Sequence, residues 1–461
     1  MFYFDPAADA FARRQGGDVS PRVSLVMMLS MSAAAPFHFD FPEAATPALI
    51  IVRKLSAAGH QALLAGGCAR DLLLGLAPQD YDVATDATPE QICRLIRKTR
   101  KVGVQFGVVL ARERRRWVEV ATFRSDGEYF DGRRPCEVHF CDARHDAERR
   151  DFTVNGMFLD PTRRELIDYV GGRADLDAKL IRAIGDPSAR FAEDHLRLIR
   201  AVRFAARLEF KIEPATFEAV KAHASKLATV AAERVREELE KILTDPRRRR
   251  GLDLLDRCGL LPNLWKGGGL LGERPAGDRS RMGEQVASAS ERFGMSSDRV
   301  SFPLALAWLL AERAVPDVHD ICRVLTCSNE HRETAAWLIA HRCDLDDPSA
   351  ISLADLKRLL AHSAFGDLRI WALGRYRQLS DGDLRARSLD ERIDAIRPED
   401  IQPPPLATGD DLAARGAAPG PIYRIVLDEL YTLQLNDVLT TREEALAALD
   451  DLLLRMRREG D

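Results

Sequence analysis

The chain lacks the features that would commit it to a specialised class. Its eight cysteines, at 68, 93, 136, 141, 258, 322, 327 and 343, include no Cys-x-x-Cys pair and no Cys/His set at zinc spacing. That argues against a disulfide framework or a zinc finger and fits reduced thiols in a cytoplasmic protein. No apolar run approaches the length of a membrane span. The run after Arg22, from Val23 to Ala35, resembles a weak signal peptide but is short and broken by serines. Residues 1–44 therefore read as a disordered extension, with Met27, Met28 or Met31 as alternative starts. An excess of one charge is also missing, since 67 Lys and Arg face 71 Asp and Glu for a net charge of −4. A uniformly basic nucleic-acid binder is excluded. Local clusters at Arg112 to Arg116, Arg133-Arg134, Arg149-Arg150 and Arg247 to Arg250 still leave room for a basic groove, or simply for solvated faces. There is no internal repeat.

The chain does carry a phosphate-and-metal pattern. Apolar Ala62 to Ala65 reads as a short buried strand, and Gly66-Gly67 lets the backbone turn tightly beside a ligand. Arg70 and Leu72 to Leu74 then open a helix whose first amides favour an anion. In a strand over Tyr81 to Ala84, Asp80 and Asp82 share one face, and two carboxylates that close repel unless a cation lies between them. A third acid, Glu119, sits between Val118 and Val120 in a strand over Trp117 to Phe123, where a carboxylate is costly unless paired or metal-bound. Asp80, Asp82 and Glu119 would hold two Mg²⁺ ions about 3.5–4 Å apart for in-line phosphoryl chemistry. A turn followed by solvated acids is the bland alternative.

With a further strand over Phe106 to Ala111, these elements predict an α+β head with a small mixed sheet, followed by all-α parts. The 461 residues are long for one domain. The expected organisation is a head over 45–172, a helical neck over 173–265, a linker over 266–286 around Gly267 to Gly269, a helical body over 287–397, and a tail over 398–461. His145-Asp146 and His319-Asp320 invite a metal-phosphohydrolase reading, but the further ligands such a site needs cannot be assembled.

The successive segments Gly66-Gly67-Cys68-Ala69-Arg70-Asp71, Asp80-Tyr81-Asp82, Glu119-Val120-Ala121-Thr122-Phe123-Arg124, Arg149 to Asn155 and Glu193 to Arg197 closely resemble the motifs of class II tRNA nucleotidyltransferases and bacterial poly(A) polymerases. The match is dense over 60–265. The resemblance implies a polymerase-β-like nucleotidyltransferase head and helical parts that hold tRNA. It also implies an RNA 3′-hydroxyl activated at Glu119, and Gly66, Gly67 and Arg70 on the triphosphate. Arg150, Asp151 and Asn155 resemble residues that position the ribose and triphosphate, although Asp151 could simply cap a helix.

Base choice follows from Glu193, Asp194 and Arg197, at i, i+1 and i+4 of an expected helix. If Asp194 accepts from an exocyclic amine and Arg197 donates to the neighbouring ring nitrogen, the pair admits CTP and ATP and rejects GTP and UTP. The same spacing fits an ordinary salt bridge. Arg200, Arg203 and Arg207 continue the helix as a stripe for RNA phosphates or for acids such as Glu193 and Glu209. Glu209 stands where the family often has a glycine, and Glu233 to Leu239 resembles its next motif. The expected function is CCA addition to the tRNA 3′ end, with poly(A) polymerase, A-adding or CC-adding enzymes as alternatives. Two features favour tRNA. The loop Tyr129 to Pro135, with Arg133 and Arg134 as candidate RNA contacts, resembles that of CCA-type and A-adding enzymes. The tail, Leu406 to Leu412 with Gly416, Pro419 to Pro421 and Gln434-Leu435, resembles the C-terminal element of tRNA nucleotidyltransferases.

Overall fold

The computed structural model describes residues 35–102, 107–126, 138–264, 287–416 and 420–459. The Tyr129 to Pro135 loop, Arg133, Arg134, the 266–286 linker and Pro419 lie outside the described residues, as do 1–34 of the N-terminal extension. The chain divides into two compact units, Met1–His223 and Ala224–Asp461.

The first unit is built on one eight-stranded sheet. Its strands are β1 (Ala35–Pro36), β2 (Ala62–Ala65), β3 (Asp82–Thr85), β4 (Thr99–Lys101), β5 (Val108–Glu113), β6 (Arg116–Thr122), β9 (Met157–Asp160) and β10 (Glu165–Asp168), while β7 (Arg124–Asp126) and β8 (Val138–Phe140) pair separately. The order across the sheet is β1-β10-β9-β2-β3-β6-β5-β4. Within this sheet, among the described residues, only the β3–β6 pair is parallel. The sheet is therefore mixed, as expected. The strands differ slightly from the expected ones: β3 starts at Asp82, so Asp80 and Tyr81 lead into it rather than belonging to it, and β5 and β6 are joined by a two-residue turn. In that turn Arg114 and Arg115 both have positive φ, 44° and 67°, the twist that suits a tight hairpin.

Period-two alternation sets the faces. Val83, Val109, Val118 and Val120 are buried against the Thr46–Ala57 helix, whose Ile51, Val52 and Leu55 have no exposed surface. On the opposite face Leu63, Ala65, Ala84 and Phe158 pack with Phe123 and with Ala143 and Ala147 of the Ala143–Glu148 helix. Farther along this face Asp82 is half-buried and Glu119 exposed. The Pro89–Leu95 helix is fixed by a capping box between Thr88 and Gln91.

The second unit is helical, with helices that include Ala232–Leu243, Arg248–Arg257, Phe302–Leu309, Asn329–Ala340, Phe365–Tyr376 and Pro421–Leu435. Trp308, Trp371, Phe293 and Tyr376 fill one core, and Leu412, Val426, Leu430 and Leu449 a second. Within the Arg247 to Arg250 cluster, Arg248 is not a solvated residue. It is fully buried and donates to the carbonyls of Leu243, Phe293, Ser296 and Asp298. The tail segment begins with a capping box at Thr408 and Asp411, and Gln434 Nε2 donates to the Pro404 carbonyl. Among the described residues no helix is long and apolar enough to cross a membrane.

Candidate active site

The site grows from the register of the sheet. Ala65 lies opposite Asp82, Glu119 opposite Leu110 and Leu110 opposite Arg100, and the parallel pairing of Val83 with Val120 sets Asp82 beside Glu119. Ala65, Asp82, Glu119, Leu110 and Arg100 thus form one transverse row. A pocket of about 450 Å³ takes in Asp80, Asp82 and Glu119 together with Tyr81, Leu110, Arg116 and Trp117. The two glycines end β2 next to this row. Gly66 has φ 66°, and a Cβ there would come within 2.8 Å of the Arg150 guanidinium, so only glycine allows that approach.

The electrostatics follow from this crowding. The Asp82 carboxyl is pushed up to about 6, first by burial and then by the Glu119 and Asp80 carboxylates, with Arg150 opposing the rise. A dense set of oxygen donors with unmet negative charge suits a hard divalent cation. Among the described residues no three His, Cys, Asp or Glu side chains close into a ready-made cage. Carboxylates facing one another repel, and a cation would offset that cost. Cys68 lies beneath, its thiol donating to the Ala65 carbonyl and pushed up to about 12 by burial and by Asp82, so it is not a nucleophile.

Arg150 is held by a residue that sequence reading missed. Asp146, 1% exposed, accepts from Nε and Nη2 of Arg150 and from Nε and Nη2 of Arg149. Burial alone would raise its pKa, but the two guanidiniums hold it below the usual carboxylate range. The i+3 and i+4 spacing from Asp146 to Arg149 and Arg150 was the available signal. His145 pairs instead with Asp142, so the His-Asp dipeptide is not one functional unit.

A second network runs from the glycine turn to the Leu196–Arg207 helix. Arg70 is 2% exposed; its guanidinium is taken up by Asp71 and, at 2.6 Å, by the Asn155 side-chain oxygen. Asn155 Nδ2 donates to Asp151 Oδ1 at 3.0 Å, and Asp151 Oδ2 accepts from Nε and Nη2 of Arg200 at 2.9 and 2.6 Å. Arg207 closes the chain on Asp71 at 3.5 Å. Burial would raise Asp151, but Arg200, Asn155 and Arg197 hold it down at about 2. Arg200 was expected to face RNA or pair with Glu193 or Glu209; its partner is Asp151, 49 residues away. Arg203 lies over the Phe204 ring at 4.3 Å. Arg70, expected in direct reach of phosphates, is spent on Asp71 and Asn155, and Arg150 is the guanidinium beside Gly66.

The base-reading helix is corrected. One helix ends at Glu193 and the next starts at Leu196, with Asp194 in extended backbone between them. Asp194 Oδ1 accepts the Leu196 amide, the local hydrogen bond that aspartate favours at a helix start. Arg197 therefore does not lie beside Asp194 on one helix face. Its guanidinium donates to Glu193 at 2.5 Å and to the carbonyls of Arg190 and Arg149 at 2.9 and 3.0 Å. Asp194 and Arg197 stay one turn apart, joined through the Arg197 amide on the Asp194 carbonyl. At the other end of this helix Glu209 takes φ 58°, the left-handed position where glycine is usual.

A mixed sheet with a glycine turn beside Asp82 and Glu119 in one row, and with Asp80 leading into the same strand, defines a nucleotidyltransferase head. The family described as "Poly A polymerase head domain" matches residues 62–182, and "Probable RNA and SrmB- binding site of polymerase A" matches 209–267. The CCA-adding enzyme of Streptococcus pyogenes serotype M4 is 33% identical over 354 residues, 76% of this chain and 80% of that protein. The CCA-adding enzyme of Bacillus stearothermophilus in complex with CTP is 27% identical with a TM-score of 0.75, covering 91% of this chain and all of that one. The Thermotoga maritima CCA-adding enzyme complexed with tRNA shares the fold, with a TM-score of 0.57 at 20% identity over 88% of this chain and 94% of that one. The chain belongs to the family of CCA-adding enzymes.

Proposed function

We propose that this chain adds CCA to the 3′ end of tRNA from CTP and ATP without a nucleic-acid template, in the cytoplasm, using two Mg²⁺ ions held by Asp80, Asp82 and Glu119. The observation that carries the reading is the row that sets Asp82 and Glu119 side by side next to Gly66, Gly67 and Arg150. The metal ions supply Lewis-acid activation of the 3′-hydroxyl and charge neutralisation on the triphosphate. The RNA 3′-oxygen forms a bond to the α-phosphorus, its proton leaves towards the Glu119 carboxylate, and the bond to the bridging oxygen breaks. Pyrophosphate departs on the side of Gly66 and Gly67, where Arg150 offsets its charge. Asp151 and Asn155 place the ribose, and Arg70 braces Asn155.

Base choice rests on Asp194 accepting from the exocyclic amine and Arg197 donating to the ring nitrogen. Cytosine and adenine present that edge; guanine and uracil present its reverse. In the free protein Asp194 accepts the Leu196 amide and Arg197 is paired with Glu193, so base reading requires both side chains to turn from these partners to the incoming base.

Head-domain similarity does not separate CCA addition from poly(A) addition. Incubating the protein with a tRNA transcript lacking its CCA, Mg²⁺ and each labelled nucleotide in turn decides it. Addition that stops after CCA is the expected result. A single A, CC alone or a long A tail would reassign the specificity, and no incorporation at all would sink the enzyme reading.

A further inference from the structure

The row that holds the acids continues past them. Beyond Glu119 it passes Leu110 to Arg100 on the edge strand, and one step along the strands Trp117 lies opposite Arg112 on the same face. Trp117 is 37% exposed, with the Arg100 guanidinium 4.6 Å and the Arg112 guanidinium 5.6 Å from its ring. Arg114, Arg115 and Lys101 are exposed beside them. Among the described residues no carboxylate forms an ion pair with any of these cations; the nearby Glu113 pairs with Lys54. A net-acidic protein thus carries, around an exposed indole, a cluster of cations without an ion-pair partner among the described residues. The pocket that takes in Asp82 and Glu119 also takes in Trp117 and Arg116.

The order of the strands assigns this face a side of the reaction. Gly66 and Gly67 follow β2, on one flank of Asp82; Trp117, Arg112 and Arg100 lie on β6, β5 and β4, on the other. In-line displacement requires the attacking oxygen and the leaving pyrophosphate on opposite sides of the phosphorus. With the triphosphate at the glycine turn, the attacking strand arrives over β6 and β5. Glu119 and Arg100 are two strands apart, about 10 Å, a span that fits the last nucleotides of a single strand. Guanidiniums meet its phosphates and the indole offers a stacking surface, the combination that holds single-stranded nucleic acid.

We propose that Trp117, Arg100 and Arg112 form the platform on which the 3′-terminal single strand of the RNA substrate lies as it reaches Glu119. The identity of the strand rests on the nucleotidyl-transfer reading; the platform itself is tested by binding, without nucleotide or turnover. Binding of a fluorescein-labelled tRNA transcript lacking its CCA is titrated at several salt concentrations for the full chain and its variants. Trp117→Ala is expected to weaken binding about 5- to 10-fold, with Trp117→Phe restoring most of it. The double variant Arg100→Ala, Arg112→Ala should reduce the slope of log affinity against log salt by about 1.4, the share of two phosphates on a single strand. Steady-state addition should show a raised KM for RNA, an unchanged KM for CTP and a kcat near the parent's, and the melting temperatures should match. RNA affinity and salt slope equal to the parent's overturn the proposal, as does a raised KM for CTP with RNA binding unchanged. A parent that binds RNA on this face yet adds no nucleotide supports the platform and sinks the transfer reading. A parent that adds CCA while the variants bind RNA as it does sinks the platform alone.

Discussion

Replacing Arg200 by alanine tests the network behind the pocket. Asp151 is 8% exposed and its Oδ2 has the two Arg200 hydrogen bonds, while Oδ1 is occupied by the Phe152 amide and Asn155. Without Arg200 a buried carboxylate loses its counter-charge. The drop of the Asp151 pKa from 3.8 to about 2 corresponds to about 2 kcal/mol of stability at neutral pH. Breaking a buried pair from one side costs about 3–5 kcal/mol. Arg200 itself is 30% exposed, so water relieves part of this and about 2–3 kcal/mol is expected. The sign with pH is fixed. The folded pKa is depressed, so the stabilisation is complete above about 4 and disappears as pH falls through about 2. Urea denaturation of parent and Arg200→Ala at pH 7 and at pH 3 reads the difference, which should shrink at the lower pH, and Arg200→Ala with Asp151→Asn should recover much of the loss at pH 7. A difference below about 0.5 kcal/mol at pH 7, or one unchanged at pH 3, would refute the reasoning.

Further substitutions probe the site from other sides. Asp82→Asn should abolish nucleotide incorporation and raise the melting temperature in EDTA, because it removes one of the mutually repelling carboxylates; a lowered melting temperature would contradict the crowding described. Gly66→Ala places a Cβ 2.8 Å from the Arg150 guanidinium in a left-handed backbone, so the KM for CTP should rise at least tenfold with RNA affinity unchanged. Glu209→Gly relieves a left-handed non-glycine residue and should gain about 0.5–1 kcal/mol in thermal denaturation with activity intact.

Much of the site was legible because short-range pattern governs it. Alternation put Val118 and Val120 on the opposite face from Glu119, and the Gly66-Gly67 pair announced its turn. The mixed sheet followed from the same apolar runs. What the sequence hid was pairing at long range: nothing near Asp151 names Arg200 as its partner, and Arg70 looks available for phosphates until Asn155 and Asp71 are seen around it. The break at Asp194 was half visible. No glycine or proline marks it, yet an aspartate two residues before an apolar run is a helix-start signal, here masked by helical sequence on both sides. Trp117 read as an ordinary strand residue because its two guanidinium neighbours come from different strands.

The contact of Arg207 with Asp71, 136 residues apart in the chain, bears on how the protein is made. The glycine turn and the acids are synthesised early; Asp71 already has Arg70 beside it, but Asp151 gains its ion-pair partner only when Arg200 of the Leu196–Arg207 helix has emerged. A chain ending before Arg200 leaves the buried Asp151 carboxylate without that partner, so the network linking Arg70, Asn155 and Asp151 should be completed only when the Leu196–Arg207 helix docks.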